Sequence, residues 1–374
     1  MQYRKLPRGT EQVSVLGIGT SSIQASSEKE IEKIITAAME NGINCFDMAS
    51  SEAKPFAAYG RAIKGMRDKA YFQIHFGAHY ETGMYGWTTN LDTIKRSIDW
   101  QLKALQTDYI DFGFLHCIDE SADLHEVDRS GIIHYMEELK KAGVIRHIGL
   151  SSHTPLLVNE VLDMGILDML MFSINPAYDY AGGTEPNYAA DSYAVGSVAE
   201  RMNLYRRCEA EGVGISVMKA FSGGQLLKAE TSPFGKALTE YQCIQYALDK
   251  PGVLTVLPGV RNMDDLKRIL GFLDAALEER DYSVIGSFAP QDASGKCVYC
   301  NHCQPCPMGL DVGLLNKYYD LSRSGDVLAK SHYENLTVKA DACVGCEHCN
   351  KRCPFHVDQV ARMQEILDYF NRIK

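Results

Sequence analysis

The sequence is short of positive charge, long apolar stretches and repetition, and each shortage excludes something. Lysine and arginine number 38 against 48 aspartates and glutamates, a formal net charge of −10. Non-specific nucleic-acid binding needs a basic footprint, so that class is excluded. No apolar run approaches the length of a membrane span, and no membrane association is expected. The opening MQYRKLPRGTEQ lacks the apolar core of a signal peptide, which makes the cytoplasm the expected location. No fixed-period repeat or low-complexity segment is present. Cysteine is scarce over most of the chain: Cys45, Cys117, Cys208 and Cys243 are the only four in the first 290 residues. The remaining eight of the 12 fall between 297 and 353.

What is present is an ordinary globular composition, 45% apolar and 23% charged, arranged as an alternation. After an opening hairpin, QVSVLGIGT is strand-like, and 28–42 is helical with Ile31, Ile34, Ile35, Ala38 and Met39 on one face. INCFDM, AYFQIHFG, YIDFGFLH, IRHIGLSS, DMLMFSIN, VGISVMKA and VLTVLPGV continue the strands. Helices are expected between them over 54–66, 90–106, 130–142, 154–164, 196–211 and 234–250. The last, 262–277, carries Leu266, Ile269, Leu270, Leu273 and Leu277. Continuous β-branched and aromatic runs suit strands buried on both faces. Eight βα units in about 250 residues predict an α/β fold, a (β/α)8 TIM barrel, over a doubly wound sheet. In that fold the active site lies on the loops after the strands. Three of these are long, 77–89, 117–129 and the tyrosine-rich 176–195, which reads as a lid over the substrate. Residues 281–296 read as a linker, giving a barrel over 1–283 and a small cysteine-rich unit over 284–374.

CVGCEHCNKRCP, residues 343–354, is the C-x2-C-x2-C-x3-C-P run of bacterial ferredoxins. CVYCNHCQPCP, residues 297–307, is the same run with one residue fewer in the last gap. Three closely spaced thiolates clamp three irons of a cubane, and the fourth cysteine of each run serves the other cluster. One [4Fe–4S] cluster then takes Cys297, Cys300, Cys303 and Cys353, and the other Cys343, Cys346, Cys349 and Cys306. Zinc normally uses pairs of C-x2-C, and eight cysteines in a reducing compartment argue against a disulfide knot. VGLLNKYYDLSRSG and the tail after 357 look helical, so the unit resembles an α-helical ferredoxin-like domain.

The segments YRKLPRGTEQVSVLGIGT, FDMA, LQTDYIDFGFLH, IRHIGLSS and VLPGV resemble the aldo-keto reductases in order and spacing across residues 1–280. With the eight-cysteine tail, nearly the whole chain resembles the iron–sulfur branch of that family. The resemblance implies carbonyl reduction with NAD(P)H by an Asp, a Tyr acid, a Lys and a His. Asp47 matches the aspartate and His116 the histidine. The tyrosine position is Glu52, the lysine position is His75, and the aromatic that stacks on the nicotinamide is Met218. Proton donation then falls to His75, to Glu52, or to a tyrosine from a loop: Tyr59, Tyr80, Tyr85, Tyr178 or Tyr180. The resemblance further implies that Ser151 and Ser152 hold the nicotinamide amide. It also implies that KAFSGG and LPGVRN cradle the phosphates through Lys219, Gly223, Gly224, Gly259 and Arg261. Asp264 and Asp265 open the next helix and would repel a 2′-phosphate, so NAD and NADP are both open.

The leading expectation is an oxidoreductase acting on a small-molecule substrate, with two clusters for electron transfer. Nicotinamide passes two electrons as hydride and a cluster passes one, so direct exchange needs a flavin, for which no motif is found. A ferredoxin or flavoprotein partner would fill that gap. Two alternatives stand beside it. One is a lyase or isomerase using Asp47, His75 and His116, and the other is a non-catalytic electron-transfer adaptor.

Overall fold

The computed structural model describes residues 1–181, 194–287, 294–299, 301–323 and 327–372. Eight strands form one parallel series: β1 (Ile18–Gly19), β2 (Cys45–Asp47), β3 (Tyr71–Phe76), β4 (Ile110–Leu115), β5 (Ile145–Ser152), β6 (Met169–Ser173), β7 (Gly214–Met218) and β8 (Val253–Val256). The series closes on itself. Leu16 bridges Val256 in parallel, Gly17 N donates to Val256 O at 2.9 Å, and Val256 N donates to Val15 O at 3.0 Å. Each strand is followed by a helix: α1 (Glu28–Glu40), α2 (Lys54–Ala62), α3 (Leu91–Leu105), α4 (Ile132–Lys141), α5 (Pro155–Asp163), α6 (Val198–Ala210), α7 (Glu240–Leu248) and α8 (Met263–Gly271). The opening hairpin pairs Tyr3–Lys5 with Gln12–Ser14, and its Leu6 and Val13 join Cys45, Phe112, Met169 and Leu254 in the barrel interior.

The helices begin where local chemistry lets them. Ser27 accepts from Glu30 N ahead of α1, whose Ile31, Ile34, Ile35 and Ala38 are buried against the strands. Thr239 and Gln242 form a capping box ahead of α7, so this helix starts at 240 and not at 234. Gly235 before it lies in the left-handed region at φ 65°. The eighth helix stops at Gly271, and Leu277 opens a separate short helix, Leu277–Arg280, with its side chain exposed. The expectation that Leu277 shares the apolar face of α8 is therefore corrected.

Of the long loops, 77–89 carries a small antiparallel ribbon, Ala78–His79 paired with Gly86–Trp87. The 117–129 loop holds a helix, Ser121–Arg129. The third loop begins with the helix Pro176–Ala181, and its residues 182–193 lie outside the described ones. After the barrel, helices run over Val312–Arg323, Val327–Glu334, His348–Arg352 and Gln359–Arg372. They share a second apolar cluster containing Leu310, Leu315, Tyr319, Tyr333, Ile366 and Phe370.

Candidate active site

Side chains inside the barrel stack in layers. Gln73 Nε2 donates to Ser216 Oγ at 2.9 Å across the middle of the barrel, near Cys45. One layer higher, at the strands' C-terminal end, polar residues converge. Asp47 pairs in register with Gln73, so His75, two residues on, shares its face. His75 Nε2 lies 2.7 Å from Asp47 Oδ1. Its ring is fully buried and stacks on Phe114, its register partner on β4. His116, just past β4, brings its Nδ1 within 2.8 Å of His75 Nδ1. Between them the chain passes through Gly77 at φ 128°, where a Cβ would lie 3.2 Å from that of His116. Burial, His75 and His153 hold the His116 imidazole well below its usual range, so it is neutral.

Asp47, His75 and His116 form one side of a cavity of about 570 Å³. Ser151, Met171 and Met218 also line it. A second cavity of about 670 Å³ adjoins it, and the two share Gly19, Ser21, Lys219 and Leu257. Gly223 and Gly224 line the second one in the left-handed region, at φ 63° and 90°. At Gly259 a Cβ would meet Ser22 Oγ at 2.8 Å, so a side chain there would have to turn that hydroxyl aside. Lys219 and Cys117 line the first cavity with φ of 58° and 54°. Non-glycine residues held there cost of order 1–3 kcal/mol each, and such strain clusters at functional sites.

A sequence model of the aldo/keto reductase family matches residues 15–241. The chain belongs to this family. It is therefore an enzyme, an oxidoreductase of the aldo-keto reductase type. It is 26% identical over 310 residues to the uncharacterized oxidoreductase YqkF of Bacillus subtilis, covering 78% of this chain and 98% of that one. With the aldo-keto reductase YhdN of the same organism it shares 29% identity over 161 residues, 41% of this chain and 47% of that one. Among solved structures, the holo form of aldo-keto reductase AKR11C1 from Bacillus halodurans superposes with a TM-score of 0.59. That match has 24% identity over 75% of this chain and 94% of the other, and it speaks for the fold alone.

Within this aldo/keto reductase, two expected site residues are placed elsewhere. Glu52 does not line the cavity. Its side chain is 42% exposed and pairs with Lys54 at 3.5 Å, while its backbone bridges Met84. Ser152 faces away from the cavity, and its buried hydroxyl donates to Ile118 O at 2.7 Å and Asp119 Oδ1 at 3.1 Å. Four of the candidate tyrosines are also absent from the cavity wall. Tyr59 is buried edge-on to Phe46, and Tyr80 bonds both backbone groups of Ser50. Tyr178 and Tyr180 are buried, the latter against Tyr246 and Phe355. Tyr85 lines the cavity, with its Oη 3.0 Å from His116 Nε2.

Asp265 does not confront the second cavity as a bare charge. Arg261 Nε donates to its Oδ2 at 2.7 Å and Arg268 Nη2 to its Oδ1 at 2.5 Å, and both arginines line that cavity. Burial alone would raise the Asp265 carboxyl, but these partners bring it down to about 2.

Sequence reasoning missed one constellation. Cys117, Asp119 and His153 bring three ligand atoms within 4.8 Å of one another, and Cys117 and His153 line the first cavity. Asp119 Oδ1 accepts from His153 N at 2.6 Å, and Oδ2 lies 2.8 Å from His153 Nδ1. Residues 117, 119 and 153 sit on two different loops, and no spacing rule links them. In the C-terminal segment Cys303, Cys306, Cys343, Cys346 and Cys349 line one apolar cavity. Cys297 and Cys353 pack against the barrel's own core cluster, and Cys300 lies outside the described residues.

Proposed function

We propose that the chain is a carbonyl reductase that takes its hydride from NADPH and carries two [4Fe–4S] clusters beside the barrel. The observation that carries the first part is the pair of adjoining cavities. One is walled by Asp47, His75 and His116, and the other is lined by glycine-rich loops and cations. A nicotinamide, when bound, supplies the hydride. Lys219, Gly223, Gly224 and Gly259 would hold the dinucleotide's phosphates, and Ser151 and Met218, which line the first cavity, would hold its nicotinamide end. Arg261 and Arg268, clamped on the buried Asp265, give a fixed pair of guanidinium groups for a 2′-phosphate. That pair favours NADPH over NADH.

Residues 1–283 form the catalytic unit in this reading, and 284–374 the cluster-binding, ferredoxin-like unit. Cys306, Cys343, Cys346 and Cys349 fit one cubane because all four reach a single cavity. The spacing of the two runs gives the other cluster Cys297, Cys300, Cys303 and Cys353. Electron exchange with a ferredoxin or flavoprotein belongs to this reading.

The test is anaerobic. Clusters are reconstituted, NADH and NADPH are added in turn, and nicotinamide fluorescence is followed together with cluster absorbance. Fluorescence quenching at lower NADPH than NADH concentration, with turnover of a carbonyl panel, is the expected result. A chain that binds neither nucleotide refutes the reading.

A further inference from the structure

The reductase reading leaves the proton donor unassigned, because the side chain at the family's tyrosine position, Glu52, pairs with Lys54 and does not line the cavity. The same backbone stretch positions a replacement. Ala53 N donates to Gly83 O at 2.9 Å, Glu52 bridges Met84, and Tyr85 N donates to Ser51 O at 2.9 Å. The 50–53 loop thus serves as a pairing edge for the ribbon, and the next side chain along that ribbon is Tyr85. Trp87 fixes the far side, its Nε1 donating to His116 O at 3.0 Å. The ring of Tyr85 meets those of His116 and Tyr80 edge-on, at 5.7 and 6.3 Å. Tyr85 is 40% exposed, and its backbone pairing with Ser51 and its edge-on contacts with His116 and Tyr80 keep its hydroxyl against His116 Nε2.

We propose that Tyr85 is the proton donor of carbonyl reduction in this enzyme, and that His116, His75 and Asp47 form a relay that reloads it. The proposal rests on the reductase reading above. The contacts make one unbroken line: Asp47 Oδ1 to His75 Nε2 at 2.7 Å, His75 Nδ1 to His116 Nδ1 at 2.8 Å, and His116 Nε2 to Tyr85 Oη at 3.0 Å. Two hydrogen placements satisfy it. With both His75 nitrogens protonated, His75 donates to Asp47 and to His116, and His116 Nε2–H donates to the Tyr85 oxygen. The phenolic hydrogen is then left for the cavity. With His75 neutral, every hydrogen points toward Asp47, and the phenolic one is spent on His116.

Reduction converts the first placement into the second. Hydride from the reduced nicotinamide forms the new C–H bond, the carbonyl π bond breaks, and Tyr85 gives its proton to the carbonyl oxygen. The Tyr85 oxygen takes the Nε2 proton of His116, and His116 takes the Nδ1 proton of His75. The nicotinamide ends oxidised, the substrate is an alcohol, and His75 is short of one proton, which the solvent proton consumed by the reaction restores through Tyr85 and His116. Burial raises the Tyr85 phenol, so it stays protonated between turnovers. The relay stabilises the phenolate at the moment it forms.

Tyr85→Phe keeps the ring and its packing. It should lower kcat for carbonyl reduction about 100- to 10,000-fold, the usual cost of losing a positioned acid, with the NADPH Kd unchanged within about twofold. Glu52→Gln should leave kcat within about threefold. A second readout needs neither nucleotide nor turnover. In histidine side-chain 15N spectra, Tyr85→Phe should shift the Nε2 resonance of His116 and leave His153 in place. Turnover that survives Tyr85→Phe, or an unmoved His116 resonance, overturns the donor assignment and spares the reductase reading. A wild-type enzyme that reduces no carbonyl with either nucleotide overturns both.

Discussion

The cysteines of the barrel and those of the C-terminal segment have opposite surroundings. Cys45, Cys208 and Cys243 are fully buried among aliphatic and aromatic side chains, and burial pushes their thiols up. They act as small apolar residues that fill space. Cys306, Cys343 and Cys349 are only half-buried, Cys346 is exposed, and all four share one cavity. The barrel core is large and continuous, and Cys208 and Cys243 are members of it. The second cluster is small, and Cys303 is one of its buried members, with Cys306, Cys343 and Cys349 packed around it. The same residue type is packed inside the core in one region, at Cys45, Cys208 and Cys243, and, Cys303 apart, lies half-buried or exposed among the described cysteines of the other.

That contrast can be broken by removing metal. Iron chelation, or Cys343→Ser with Cys349→Ser, should abolish the cooperative melting of the segment after 296 and leave the barrel's transition in place. Calorimetry of both forms reads this, and a barrel that unfolds together with the tail would erase the distinction. Next in size is Asp47→Asn, which removes the carboxylate under His75. Carbonyl reduction should fall about 100- to 10,000-fold while nucleotide binding, read by fluorescence, persists. Cys208→Ser sharpens the comparison from the barrel side. A hydroxyl buried without a partner should cost about 1–3 kcal/mol in denaturant melts, with iron content unchanged.

The smallest effect concerns pH. Burial alone would lower the His147 pKa, but Asp168 and Glu11, at 3.5 and 3.1 Å, outweigh it and raise it. A raised folded value means protons bind the native state more tightly, so the stabilisation is fully present below the ordinary histidine range. It is lost as pH rises through the folded value. His147→Gln should therefore destabilise below about pH 6 and little at pH 9. A stability gap that grows with pH would contradict the assignment.

The barrel was legible in the sequence because strands buried on both faces read as continuous apolar runs, and amphipathic helices read as period 3.6. Asp47 and His116 were legible as polar residues ending such runs. The 78–87 ribbon was not, because two-residue strands carry no period. Tyr85 accordingly appeared only as one tyrosine among five. Glu52 could not be separated from a buried acid, because its exposure depends on Lys54 and on the ribbon that pairs its backbone. Ser151 and Ser152 look alike in IGLSS, and alternation along β5 sends only the first into the cavity. Arg268, six residues past the LPGVRN stretch, was overlooked although it shares Asp265 with Arg261.

Val298, Phe355 and Val357 are members of the barrel's core, and Gly286 lies so close to Pro354 that a Cβ there would come within 2.3 Å. The neighbours of Cys297 and Cys353 are therefore seated by the barrel and not by the tail helices. This sets an order of assembly. Residues 1–283 must close first, because until they do there is no surface to receive Phe355. The tail is tethered to the barrel's core at both of its cysteine runs.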